Sequence, residues 1–168
     1  MMFEITHTLP ADRDRVVAVL ADPAYYEFLQ RRHAGVDRIE VLSQEDLGAS
    51  IRRRVRYQPK PIIRSIGPKK IDPDAMSWVE ESTFDKATCR LEFRNVAVKE
   101  WVRKRLANSG TIELRDGGTG RTTRVVSGEL TVKFPILGAI AERIIHSKAR
   151  DILDEEARLF AEYLREKG

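Results

Sequence analysis

The chain has 168 residues, 42% hydrophobic and 33% charged, with 30 Lys and Arg against 26 Asp and Glu and a net charge of +4. That length suits one compact domain able to bury roughly 70% of the surface its unfolded form exposes, and the composition excludes a disordered tail, a fibre or a membrane bundle. A single cysteine, Cys89, rules out an internal disulfide and a cysteine-rich zinc site. The longest apolar run, residues 136–141, is too short to span a bilayer, and Glu4 with no apolar stretch around it argues against a cleaved secretory signal. The expected setting is soluble, reducing and cytoplasmic.

Residues 51–70 hold eight of the 30 basic residues and no acid, so the positive excess belongs to this one segment. Such a stripe suits the solvated face of a strand, an anionic lipid surface or nucleic acid. Its lone aromatic, Tyr57, and the lack of any ribonucleoprotein or helix-turn-helix spacing argue against nucleic acid as a partner.

In chain order, Phe3, Ile5, His7 and Leu9 alternate with polar residues, which predicts an opening strand. Pro10 and Asp12 end it and start a helix carrying Val16, Val17, Ala18 and Leu20, and Asp22-Pro23 divides that helix from a second over 23–32. Segments 36–44 and 48–57 alternate around an acidic turn at 45–48, a hairpin. Residues 59–68 contain three prolines and three isoleucines among bases, which excludes a central strand and predicts an apolar-basic loop or one helical turn. Strand patterning returns over 71–84, with Met76, Trp78, Glu80, Ser82 and Phe84 on one face, and over 88–96, with Leu91, Phe93 and Asn95 in phase. Cys89 falls at the start of that second strand and reads as a buried structural thiol.

Residues 101–107 carry no decisive pattern. Two further strands, 111–114 and 122–134, flank Asp116-Gly117-Gly118-Thr119-Gly120, which reads as a turn rather than a phosphate loop because no Lys-Ser/Thr follows. From Pro135 onward Leu137, Ile140, Ile144, Ile145, Ile152, Leu153, Leu159, Phe160, Tyr163 and Leu164 keep a period close to 3.6, predicting one amphipathic helix. At 1.5 Å per residue it would reach roughly 45 Å, enough to cross an entire sheet. No linker, repeat or low-complexity tract intervenes, so residues 1–168 read as a single domain.

This order, strand, two short helices, about six strands and a long helix, resembles the START-like (SRPBCC, helix-grip) superfamily. That resemblance implies an α+β fold in which a bent antiparallel sheet wraps around the C-terminal helix and encloses an apolar cavity. The residues that carry it are Phe3-Glu4-Ile5-Thr6-His7-Thr8-Leu9-Pro10-Ala11, Val16 through Leu20 with Asp22-Pro23-Ala24-Tyr25, and Gly128-Glu129-Leu130-Thr131-Val132-Lys133-Phe134-Pro135-Ile136-Leu137-Gly138 with Glu142. The closing stretch is similar to a branch labelled only as a domain of unknown function. Superfamily members include lipid and sterol carriers, polyketide cyclases and aromatases, and interaction domains, and fold alone does not choose among them.

Strand parity and the helical stripe select candidate lining residues. On the sheet these are Ile5, Trp78, Phe84, Leu91, Phe93, Val126 and Leu130. On the helix they are Ile144, Ile145 and Leu153. His7, Arg53 and Glu80 share the inward parity and would place a histidine, a guanidinium and a carboxylate in the same space, as polar anchors, with Arg53 and Glu80 also able to form an internal ion pair. The expected partner is an apolar or amphipathic, lipid-like small molecule, with no cofactor and no metal. His7, His33 and His146 lack any metal-ligand spacing. Two alternatives stay open: a cyclase, aromatase or dehydratase with His7 or Glu80 as general base, and an interaction module without ligand. Ile62, Ile63 and Ile66 beside Lys60, Arg64, Lys69 and Lys70 would suit a portal loop touching anionic membranes during ligand exchange.

Overall fold

The first strand, β1 (Met2–Leu9), is followed by α1 (Arg13–Ala21), whose cap is Asp12, its carboxylate accepting from the Arg15 amide. Asp22 closes α1 and opens α2 (Pro23–Arg32), accepting from the Ala24 amide, while Pro23 occupies the first turn, where no amide hydrogen is needed. The computed structural model describes residues 1–61, 65–66, 68–70, 72–133 and 138–167. Beyond α2 come β2 (Val36–Asp46), β3 (Ser50–Pro59), the two-residue strands β4 (Ser65–Ile66) and β5 (Lys69–Lys70), β6 (Trp78–Asp85), β7 (Arg90–Ala97), a short α3 (Glu100–Arg103), β8 (Leu106–Asp116), β9 (Thr122–Val132) and α4 (Gly138–Lys167).

Seven strands form one antiparallel sheet in the order β1-β9-β8-β7-β6-β3-β2. The first strand in sequence therefore lies against the last, and β2 forms the opposite edge. The turn between β8 and β9 needs its glycines: Gly118 and Gly120 have φ of +96° and +65°, a region that a side chain disfavours.

Several elements differ from the sequence reading. The strand expected from residue 71 begins only at Trp78, because Asp72 caps a 3₁₀ turn, Pro73–Met76, by accepting from the Asp74 amide. The undecided 101–107 region divides between α3 and the start of β8, which runs eleven residues rather than four. Cys89 sits not in a strand but in the turn before β7, buried and at φ +53°. Residues 65–66 and 69–70 pair as a small antiparallel ribbon where a loop or helical turn was expected. Residues 134–137, where the long helix was expected to start, lie outside the described residues, as do Ile62, Ile63 and Arg64 of the expected portal loop. Lys60 and Lys70 are exposed.

The two halves of α4 do different things. Its C-terminal half sends Phe160 and Tyr163 into α2, where Tyr25 meets Phe160 and Tyr163 edge-on at 5.3 and 5.4 Å and Phe28 meets Tyr163 at 5.1 Å. Each such aromatic pair adds about 0.5–1.5 kcal/mol beyond its area burial, and Tyr25, Leu159 and Phe160 are fully buried. This half is a solid core. The other half faces the concave sheet with Ile145, Ala149, Ile152 and Leu153 but does not pack against it solidly.

The convex face of the sheet takes up two arginines of the basic stripe. Arg54 and Arg94 both pair with Glu81, at 3.7 and 2.7 Å, and Arg56 pairs with Asp74 at 2.9 Å. Exposed pairs of this kind contribute about 0–1 kcal/mol each, but they draw Arg54 and Arg56 of β3 into a mixed-charge surface.

Candidate functional site

Between the concave sheet and the first half of α4 lies a cavity in which about 190 Å³ is open to the centre of a water molecule. Its walls follow from the two periodicities. Inward positions of β6 and β7 supply Trp78, Phe84, Leu91 and Phe93, those of β9 supply Val126 and Leu130, and one face of α4 supplies Ile145 and Leu153. Trp78 is held by stacking on Tyr57 at 5.3 Å with the planes 12° apart.

Arg53 and Glu80 also line this cavity. They do not form a direct ion pair, since neither has the other among its contacts within 4.0 Å. Arg53 instead donates from Nη1 to the Leu20 carbonyl at 2.5 Å and lies over the Tyr26 ring at 4.8 Å. Burial works against its charge, but Tyr26 and then Glu80 outweigh that, and the guanidinium stays protonated. Burial pushes the Glu80 carboxyl up to about 6, with Arg53 opposing the rise and Glu156 adding to it. Burial likewise pushes the Tyr57 and Tyr26 hydroxyls upward, so both remain phenols.

Ile5, His7 and Ile144 are not in the wall of the cavity. Ile5 is buried in the packing of the sheet edge. Ile144 sits at the border of the helical stripe and is 37% exposed. His7 faces inward as its parity requires, but α4 covers it: Nε2 donates to Asp154 Oδ1 at 2.8 Å and Nδ1 accepts from Arg124 Nη2 at 3.4 Å. It clasps the helix to the sheet.

Polar residues of the cavity that the sequence reading did not name as lining include Asn95, Asn108, Arg124, Lys148 and Glu156. Parity carries a signal for two of them, since Asn95 is in phase with Leu91 and Phe93, and Arg124 with Val126 and Leu130. Arg124 is 3% exposed; it donates to the Leu153 carbonyl at 3.2 Å and approaches Glu156 at 3.7 Å. The Oδ1 atoms of Asn95 and Asn108 are buried without a hydrogen-bond partner, a condition that costs about 1–3 kcal/mol for each such group. Among the described residues no cluster of three His, Cys, Asp or Glu could hold a metal ion, and no helix is long and apolar enough to cross a membrane.

A bent antiparallel sheet closing over a long C-terminal helix, with a cavity between them, defines the START-like, helix-grip class. Within it, this chain belongs to the family described as protein of unknown function DUF2505, whose model matches residues 4–164. Solved structures agree on the fold. TTHA0849 from Thermus thermophilus is 20% identical, with a TM-score of 0.67 over 96% of this chain and 95% of its own. The Zhui aromatase/cyclase from Streptomyces sp. R1128 is 15% identical, with a TM-score of 0.67 over 100% and 98%. A START superfamily protein from Mycobacterium smegmatis is 12% identical, with a TM-score of 0.58 over 99% of both chains. No curated protein matches in sequence.

Proposed function

We propose that this protein binds an amphipathic, lipid-like small molecule between its sheet and α4, as a cytoplasmic carrier or sensor. The observation that carries this reading is the cavity itself, whose apolar wall is interrupted by a few convergent polar groups, Arg53, Glu80, Asn95 and Asn108. A folded domain that only needed stability would fill such a space, because its walls forgo van der Waals contacts. Native mass spectrometry of freshly purified protein tests it: the expected result is a bound mass of a few hundred daltons that organic solvent removes. Protein that emerges empty, and stays empty after incubation with lipid extract, would sink the carrier.

A second reading is favoured by Glu80, a carboxyl inside the cavity with its pKa lifted to about 6, in the range a general base needs. On that reading the protein is an enzyme of the cyclase or dehydratase kind. Glu80→Gln would then abolish turnover of a polyketide-like substrate while leaving its affinity nearly unchanged. Glu80 is preferred to His7 as the base because His7 is not among the lining residues and its two ring nitrogens are taken by Asp154 and Arg124.

A further inference from the structure

The polar residues of the cavity are arranged in a line. Glu80 on β6 lies directly across from Asn95 on β7, and Asn95 directly across from Asn108 on β8. All three line the cavity. Cross-strand neighbours on one face have their Cβ atoms about 5 Å apart, so a carboxylate and two carboxamides form a straight row over three strands. The row is bounded by Val55 and Leu130 at its ends, the next cross-strand positions on β3 and β9. A parallel row further along the strands, Phe84, Leu91, Ile112 and Val126, is wholly apolar.

Among the described residues Ser82 hydrogen-bonds Glu80, and the two carboxamides of the row are unused. Neither asparagine side chain makes a hydrogen bond with those residues, and both Oδ1 atoms are buried and unpartnered. The cationic groups of the cavity point at other partners, Arg53 at the Leu20 carbonyl and the Tyr26 ring, Arg124 at the Leu153 carbonyl and Glu156, and Lys148 at Asp151, although Nε of both arginines is buried without a partner. A carboxamide can present either its oxygen or its NH₂ after a half-turn of the terminal torsion, and a carboxylate can only accept. A hydroxyl group, donor and acceptor at once, satisfies both. A ligand carboxylate would meet Glu80 as a like charge, and a hydrocarbon would leave both carboxamides unpaired.

We infer that the Asn108, Asn95 and Glu80 row seats the polar end of the ligand, and that this end carries two hydroxyl groups about one strand spacing apart while the apolar body lies over the Phe84 to Val126 row. This rests on the cavity-binding reading above, and the experiment separates the two. N-phenyl-1-naphthylamine, a neutral fluorescent probe, reports cavity occupancy; 1,3-dihydroxynaphthalene, 1,3-dimethylnaphthalene and 1-naphthoic acid compete for it. The expected result is that the preference for the diol over its dimethyl isostere, a ratio taken within each protein and so independent of its affinity for the probe, falls about tenfold in the Asn95→Leu, Asn108→Leu double variant, with Tm equal to or above wild type. Should the double variant fail to fold, Asn95→Leu alone carries the comparison with a smaller loss. A preference unchanged by the substitutions, or 1-naphthoic acid outcompeting the diol, overturns the row while the cavity reading stands. A fall in Tm with the preference intact marks the carboxamides as structural and also overturns it. If neither the probe nor any competitor binds, the cavity reading falls and the inference with it.

Discussion

Glu80 is a carboxyl that the fold holds partly out of water, at an electrostatic cost. It is half-buried and lines the cavity. Burial raises its pKa from the usual 4.5 to about 6, so the folded state holds this proton more tightly than the unfolded chain does. The stability that the protonated group brings is therefore fully present below about pH 4.5 and is lost as pH rises through about 6. The difference corresponds to about 2 kcal/mol, at 1.36 kcal/mol per pKa unit. Glu80→Gln keeps the shape and removes the titration. Urea unfolding of both proteins at pH 4.5 and pH 7 is expected to show the variant gaining about 2 kcal/mol on the wild type between those values. A constant difference between the two would mean that Glu80 is solvated through the cavity mouth.

At the scale of elements, what could be read in advance depended on whether a side chain's position follows from local period alone. Trp78, Glu80, Phe84, Leu91 and Phe93 sit in strands with clear alternation, and their inward parity placed them on the cavity wall. Asn108 offered no such signal. It lies in the first half of β8, where Ala107, Ser109 and Gly110 blur the alternation and the strand is visible only through its pairing with β7 and β9. His7 shows the opposite failure: its parity was legible, but Asp154, 147 residues later, decides that it clasps α4. The 3₁₀ turn had a usable signature in Asp72-Pro73, a cap followed by a proline, that period-2 reading passed over. Gly110 and Gly128 form another feature with no sequence period. They face each other across β8 and β9, and a Cβ at Gly110 would lie 2.1 Å from the Ser127 carbonyl oxygen. The missing side chains leave room for Phe93 over Gly110 and for Phe3 over Gly128.

The whole molecule divides into a part that is packed and a part that is left open, and α4 crosses both. Tyr25, Phe28, Phe160 and Tyr163 fasten one end of the helix, so the other end can roof an incompletely filled space without coming away from the sheet. Ala149 is the smallest side chain on that roof. Its replacement by Leu would send three more carbons into the cavity from a backbone that favours both residues. Burying them contributes about 0.8 kcal/mol per carbon where the space accepts them, and a kcal/mol raises Tm by about 2–4 °C in a domain of this size. Ala149→Leu is therefore expected to melt several degrees higher than the wild type and to bind N-phenyl-1-naphthylamine more weakly. Gains of this kind are common where a site is kept open at the expense of packing. Differential scanning calorimetry and a fluorescence titration, run on the same preparations, measure both effects. A variant that melts lower and binds the probe as well as the wild type would place the added side chain against a filled wall, and the opposition between stability and binding would not hold.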